Sequence, residues 1–202
     1  MKKLILALAI GALTFTAMAQ DKELKFAIDP TYEPFTFKTP DRKPTGFDVD
    51  IANAVCAQIK RKCVFVERLR DSMIPGLQAR KYDTIISSMS ITEDRLKVVD
   101  FAYKSYNTPS KIVVKNSIKF ADPASLKGKK IAVLKGSTQE KYANGELVGP
   151  ELYIPKYFGS GAGFALRKGE TALKAAASAS TCYSNSAAPA PHWISTLSAP
   201  AC

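Results

Sequence analysis

Apolar and polar positions in the first half of the chain follow two periods in turn. From Leu24 to Ile28 the sequence reads LKFAI, apolar at alternate positions, which predicts a strand. Asp29-Pro30-Thr31-Tyr32-Glu33-Pro34 then breaks it into a loop. After Gly46, the residues Phe47, Ile51, Val55 and Ile59 recur every four positions and predict an amphipathic helix with one face on a core. Cys63 opens a second strand, CVFVE. A second helix is predicted over Asp71 to Tyr82, apolar at Met73, Ile74 and Leu77, with Pro75 tolerable only in the first turn. Thr84-Ile85-Ile86 closes the series as a short apolar strand. Strand, helix, strand, helix, strand predicts an α/β fold with a mainly parallel sheet, and such sheets bind ligands at the carboxyl ends of their strands.

The second half is less regular. Val98 to Phe101 reads as a turn and Lys111 to Val114 as a strand, and polar Ser117 to Lys130 reads as a connection. Ile131 to Leu134 predicts another strand, and Ser137 with Glu140 has capping-box spacing for a helix start. Glycines and prolines crowd the chain from Gly145 to Gly163, leaving no room for a long element before Phe164-Ala165-Leu166. After Lys174 no charged residue appears, and the Ala/Ser/Pro text of residues 175–202 is expected to be weakly structured.

The amino terminus changes the picture of where the protein works. Lys2 and Lys3 precede an apolar run from Leu4 to Leu13, and Ala17-Met18-Ala19 forms a small-x-small cleavage signal. Residues 1–19 are therefore read as a secretory signal peptide, the run being short of the roughly 20 apolar residues a spanning helix needs. No Cys follows the cleavage point, so a soluble periplasmic protein is expected. Without Lys2 and Lys3, 27 basic residues face 18 acidic ones, a net +9. These cations are scattered, without aromatic interleaving, and with export they point to a solvated surface and no nucleic acid. Cys56 and Cys63 can close a small loop in an oxidising compartment. The alternative is a metal site, but the only histidine, His192, lies far away, and neither metal nor cofactor is expected.

The candidate chemistry is recognition of an anion. In Ser90-Ile91-Thr92-Glu93-Asp94-Arg95, Thr92 can cap a helix that carries Arg95 in its first turn. An arginine there opposes the positive helix terminus unless an anion sits against it. Spacing supports equally an Arg95 paired with Glu93 or Asp94 on a solvated face. Ser87, Ser88 and Ser90 end a strand where Val or Ile would pack better, and present hydroxyls to a cleft or satisfy their own turn. A nucleophilic serine would need a base that this part of the chain lacks. Gly136-Ser137-Thr138-Gln139 is a second, weaker anion-binding candidate. Asp29 with Tyr32 could receive a cationic group, or form an Asx-type turn with a packed ring.

Taken together, DPTYEPF, GFDVDIANAVC, MIPGLQARKYDTIISSMSIT followed by Arg95, SLKGKKIAVLKGSTQEKYAN and YFGSGAGFALRKGETALKAA resemble the bacterial extracellular solute-binding proteins of amino-acid ABC transporters. The resemblance is strongest to the lysine/arginine/ornithine- and histidine-binding members and runs from Leu24 to about Ala176. It implies two α/β lobes that close on an amino acid and then dock to a membrane permease. It also implies that Arg95 clamps the ligand α-carboxylate with help from Ser90 and Thr138, and that Ser88 and Ser90 serve the α-amino group. Asp29, Tyr32, Ser87 and Gln139 would line the side-chain pocket, Leu134 the second-lobe wall, and Cys56–Cys63 would be the family's disulfide.

Three departures stand out. The family usually has Phe or Trp where this chain has Arg70, which opposes a cationic ligand. Between Asn144 and Val148 several elements of the second lobe have no counterpart, including the aspartate that holds the α-amino group. After Ala176 an uncharged tail replaces a charged helix, as a shifted reading frame would produce. The expected organisation is a first lobe over residues 24–112, a truncated second lobe over 113–163, a return segment over 164–174 and the tail. The expected function is monomeric capture of a polar or cationic amino acid without catalysis. The alternatives are a nonfunctional remnant and a cyclohexadienyl dehydratase-like enzyme on the same fold.

Overall fold

The computed structural model describes residues 23–107, 110–145 and 155–187. Its strands are β1 (Leu24–Ile28), β2 (Phe37–Lys38), β3 (Pro44–Thr45), β4 (Cys63–Glu67), β5 (Thr84–Ile85), β6 (Asp100–Tyr106) and β7 (Ala162–Leu166). Its helices are α1 (Phe47–Gln58), α2 (Arg70–Gln78), α3 (Glu93–Val98), α4 (Thr138–Asn144), α5 (Pro155–Phe158) and α6 (Thr171–Ala187). The signal segment expected at residues 1–19 lies outside the described residues.

Five strands form one sheet in the order β4-β1-β5-β7-β6. β1 runs parallel to β4 and β5, as βαβ crossovers through α1 and α2 require. β7 returns antiparallel between β5 and β6, the one reversed strand in a sheet whose other four run the same way. β1 lies inside the sheet between β4 and β5 and is covered on both faces. Phe26 and Ile28 pack with α1 residues Ile51 and Val55 on one side, and Ala27 packs with Met73 and Leu77 of α2 on the other. The Phe26 and Phe164 rings meet edge-on at 6.1 Å. Full burial of each such side chain contributes about 2 kcal/mol. Cys56 at the end of α1 is bonded to Cys63 at the start of β4, their Cα atoms 5.8 Å apart.

Four sequence expectations are corrected here. The helix expected over Asp71–Tyr82 runs instead from Arg70 to Gln78 with Pro75 in its second turn, and Tyr82 leaves it to pack in the core with its hydroxyl on the Met73 carbonyl. The turn expected at Val98 to Phe101 gives way to a seven-residue strand, because β7 supplies a partner from far along the chain. Lys111–Val114 and Ile131–Leu134 are not strands. A strand needs a neighbour to hold its amides, and Val113, Ile131, Val133 and Leu134 all stand exposed. Finally, α6 continues through the composition change at Ala175 as far as Ala187. Alanine is the strongest helix former, and the surface of α1 and β6 gives this helix a place to dock. Ala177 and Ser178 are buried there, and the Tyr103 amide, beside an irregularity in the β6–β7 ladder, donates to Ser178 Oγ at 3.1 Å. Residues 188–202 lie outside the described residues.

Candidate functional site

The carboxyl ends of β1 and β5 and the start of α2 bring four residues together. Asp29 follows β1 directly and is buried, and its amide donates to Ser87 Oγ at 3.0 Å. Its carboxylate accepts from Thr31 Oγ1 at 2.7 Å. Arg70 opens α2 and reaches back to the same Ser87, donating from Nη2 to its carbonyl at 2.8 Å. The Arg70 guanidinium lies 5.6 Å from the centre of the Tyr32 ring, so Tyr32 forms its platform.

One residue further on, the chain turns away from this cluster. Ser88 adopts a left-handed conformation with φ +49°, held by its amide donating to Asp48 Oδ2 at 2.6 Å. Ser88 Oγ lies 3.3 Å from the same oxygen and 2.6 Å from Tyr106 Oη, which also donates to Asp48 Oδ1 at 2.9 Å. Thr36 Oγ1 completes the set at 3.4 Å. Burial pushes the Asp48 carboxyl up to about 6, against the lowering effect of these hydrogen bonds, and pushes the Tyr106 phenol well above its ordinary range. The hydroxyl of Ser88 is thus directed to a buried internal network. One signal of it lies in the helical spacing: Asp48 is beside Phe47 and four residues before Ala52 on the buried side of α1.

Arg95 occupies a separate cleft. Thr92 caps α3 as its residue type suggests, accepting from the Arg95 amide at 3.4 Å. The Arg95 guanidinium curls back to the Ser90 carbonyl through Nη1 at 2.9 Å and reaches the Gly136 carbonyl through Nη2 at 3.3 Å. Burial, with a smaller contribution from the charge of Arg70, pushes its pKa down to about 10, which still leaves it charged at neutral pH. Thr92, Asp94, Arg95, Gly136, Thr138 and Tyr157 are among the residues lining a cleft of about 260 Å³ between the starts of α3 and α4.

The far wall of this cleft is fixed by Gly136. With φ +75° it adopts a conformation that side chains resist, and a Cβ there would fall 2.7 Å from the Asp71 Cα. The close approach lets Lys135 pair with Asp71 at 3.1 Å, while Lys141 pairs with Asp94. Half of the capping box forms: Glu140 donates its amide to Ser137 Oγ at 3.1 Å, while its side chain reaches one residue past the cap and accepts the Gly136 amide on Oε2 at 2.7 Å. The Glu140 carboxylate therefore takes an amide that the sequence suggested for an anion.

Of the nine expected ligand residues, Asp29, Tyr32 and Ser87 form one cluster with Arg70. Ser90, Arg95 and Thr138 meet at or beside the second cleft. Gln139 donates to Ser110 Oγ at 3.0 Å and Thr138 Oγ1 lies 3.2 Å from its amide oxygen, so both side chains are locally engaged. Ser88 faces Asp48, and Leu134 stands exposed in an irregular segment.

A sheet whose parallel strand ends carry an arginine-bearing cleft, faced by a helix from a later segment, is the architecture of a periplasmic binding protein. Residues 24–181 match the bacterial extracellular solute-binding proteins, family 3, and the chain belongs to that family. It is 39% identical to the L-arginine-binding protein of Pseudomonas aeruginosa, over 86% of this chain and 87% of that protein. That alignment spans 226 positions while using about 174 residues of this 202-residue chain, so some 50 positions of the relative have no counterpart here. The chain is 41% identical to the histidine-binding periplasmic protein of Salmonella typhimurium, over 79% of this chain and 63% of that protein's length. Among solved structures it resembles a Salmonella typhimurium periplasmic binding protein studied for high arginine specificity. The TM-score is 0.73 at 28% identity, covering 83% of this chain and 95% of the other.

Proposed function

We propose that this protein captures a polar or cationic L-amino acid in the periplasm and delivers it to the membrane permease of an ABC importer, without catalysis. The reading rests on the Arg95 guanidinium, held on the cleft between α3 and α4 with Thr138 among the other residues that line it. A charged fork with donors to spare suits the one group common to all amino acids, the α-carboxylate. Asp29, Tyr32 and Ser87 would receive the side chain. The names of the relatives support an amino-acid ligand, and their periplasmic setting supports a leader at residues 1–19.

Titration calorimetry of the purified protein against the twenty amino acids tests this. Binding is expected to be weaker than in a complete two-lobe protein, since the second-lobe aspartate implied by the resemblance has no counterpart. Arg95→Ala should remove about 2 to 5 kcal/mol of any measured binding, because the ligand carboxylate would be left buried without its partner. Unchanged affinity in that variant refutes the carboxylate role. A second reading, a folded remnant that no longer binds, is favoured by the missing stretch of some 50 positions. It stands if the folded protein binds none of the twenty.

A further inference from the structure

Resting on the amino-acid-binding reading above, we infer that Arg70 decides specificity at the side-chain end of this site. It selects an L-amino acid whose side chain ends in an acceptor oxygen, a carboxamide or a carboxylate, over one ending in a cation. Arg70 is 8% exposed, yet among the described residues no carboxylate lies within ion-pair distance of it. Its Nη2 is satisfied by the Ser87 carbonyl, while its Nε–H is buried and has no hydrogen-bond partner among the described residues. Helix formation does not account for it, since a cation at the first position of α2 opposes the partial positive charge of the helix terminus. A buried guanidinium with an unused donor is costly until an acceptor arrives.

The surroundings identify that acceptor as part of a ligand. Ser87 ties Arg70 to Asp29, the residue that directly follows β1 and that the resemblance assigns to the side-chain pocket. The Tyr32 ring, which could otherwise stack on a ligand cation, already carries Arg70 at 5.6 Å. Arg70 also lies close enough to Arg95 for its charge to be felt there, so a lysine or arginine side chain would add a third cation to one low-dielectric region. An oxygen acceptor gains the free Nε–H and offsets the positive charge. A carboxamide could in addition donate its N–H₂ toward Asp29, whereas a carboxylate would face that group as a like charge.

The test is an NMR-detected titration of the purified protein with L-glutamine, L-glutamate, L-arginine and L-lysine, repeated on Arg70→Leu. In the native protein glutamine or glutamate should bind more tightly than arginine or lysine by about tenfold or more. Arg70→Leu should erase that preference. Glutamine ahead of glutamate assigns the carboxamide, and the reverse order assigns the carboxylate. If Arg70→Leu does not fold, Arg70→Met keeps the buried length and gives the same comparison. Tight arginine or lysine binding by the native protein, or an unchanged ratio in the variant, overturns this inference and leaves amino-acid capture standing. Binding of none of the four nor of any other amino acid overturns both.

Discussion

Asp48 is a carboxylate that the fold keeps away from water and surrounds with donors from Ser88, Tyr106 and Thr36. Its acidity therefore reports the integrity of the turn that follows β5. In the unfolded chain its carboxyl has the ordinary value of 3.8, and in the fold it rises to about 6. The folded state thus holds the proton more tightly. The stabilisation is fully present below pH 3.8 and is lost as pH rises through 6, about 3 kcal/mol for a shift of this size. Asp94 and Asp100, both lowered by lysine partners, act with the opposite sign and lower down, their contribution fading as pH falls below 3.8. Between pH 4 and 6 Asp48, the most strongly raised carboxyl, acts in the same sense as Asp50, which partial burial also raises. Thermal unfolding of Asp48→Asn, followed by circular dichroism across that interval, should show a much shallower downward slope than the native protein. Equal slopes would mean that Asp48 ionises as freely in the fold as outside it.

The elements depend on local sequence to different degrees, and the Cys56–Cys63 link shows the local extreme. It closes six intervening residues and ties the end of α1 to the first residue of β4. Replacing both cysteines by serine should lower unfolding stability by about 2 to 3 kcal/mol through the freer unfolded chain. The check is urea denaturation; a midpoint identical to the native protein would show that the loop closes as well without the bond. α1 was legible for the same reason, because Phe47, Ile51 and Val55 sit on one helical face whatever lies around them. β6 was not legible, since its partner β7 is some sixty positions away and only that pairing makes Asp100–Tyr106 a strand. α6 was hidden by its lack of charge, although its Ala-rich text favours helix once α1 and β6 offer a surface. At the site, Arg70 could be singled out from sequence as a cation in an unexpected place. The diversion of Ser88 toward Asp48 could not, because the two residues are 40 positions apart and meet only in the fold.

At the scale of the molecule, one lobe is supported and the other is a fragment. The sheet with α1, α2 and α6 encloses two continuous apolar clusters. Between β6 and β7 the described chain keeps a small aromatic contact, with Tyr142 5.3 Å from both Tyr157 and Phe158, and few other buried residues, Leu126 and Thr138 among them. Its attachment to the first lobe combines Arg95 with Gly136 and two exposed ion pairs, Lys135–Asp71 and Lys141–Asp94, with backbone hydrogen bonds from the Ile91 amide to Gly161 and from the Ser160 amide to Ile91. Such pairs are worth about 0 to 1 kcal/mol each and weaken with salt. Meanwhile Val113, Ile131, Val133 and Leu134 stand exposed, although their text is that of strands. Strand propensity cannot act without neighbours, and some 50 aligned positions of the Pseudomonas relative are missing here. The two halves should therefore open on different scales of free energy. Amide hydrogen exchange should be slow in β1, where Phe26 and Ala27 are buried on both faces. It should be faster by about three orders of magnitude or more across residues 111–115 and 130–135, which lack ladder hydrogen bonds. Added salt should speed exchange at the start of α4 while leaving β1 unchanged. Equal protection in the two regions would mean that Ile131–Leu134 is paired in solution, and that the shortened second lobe holds a sheet of its own.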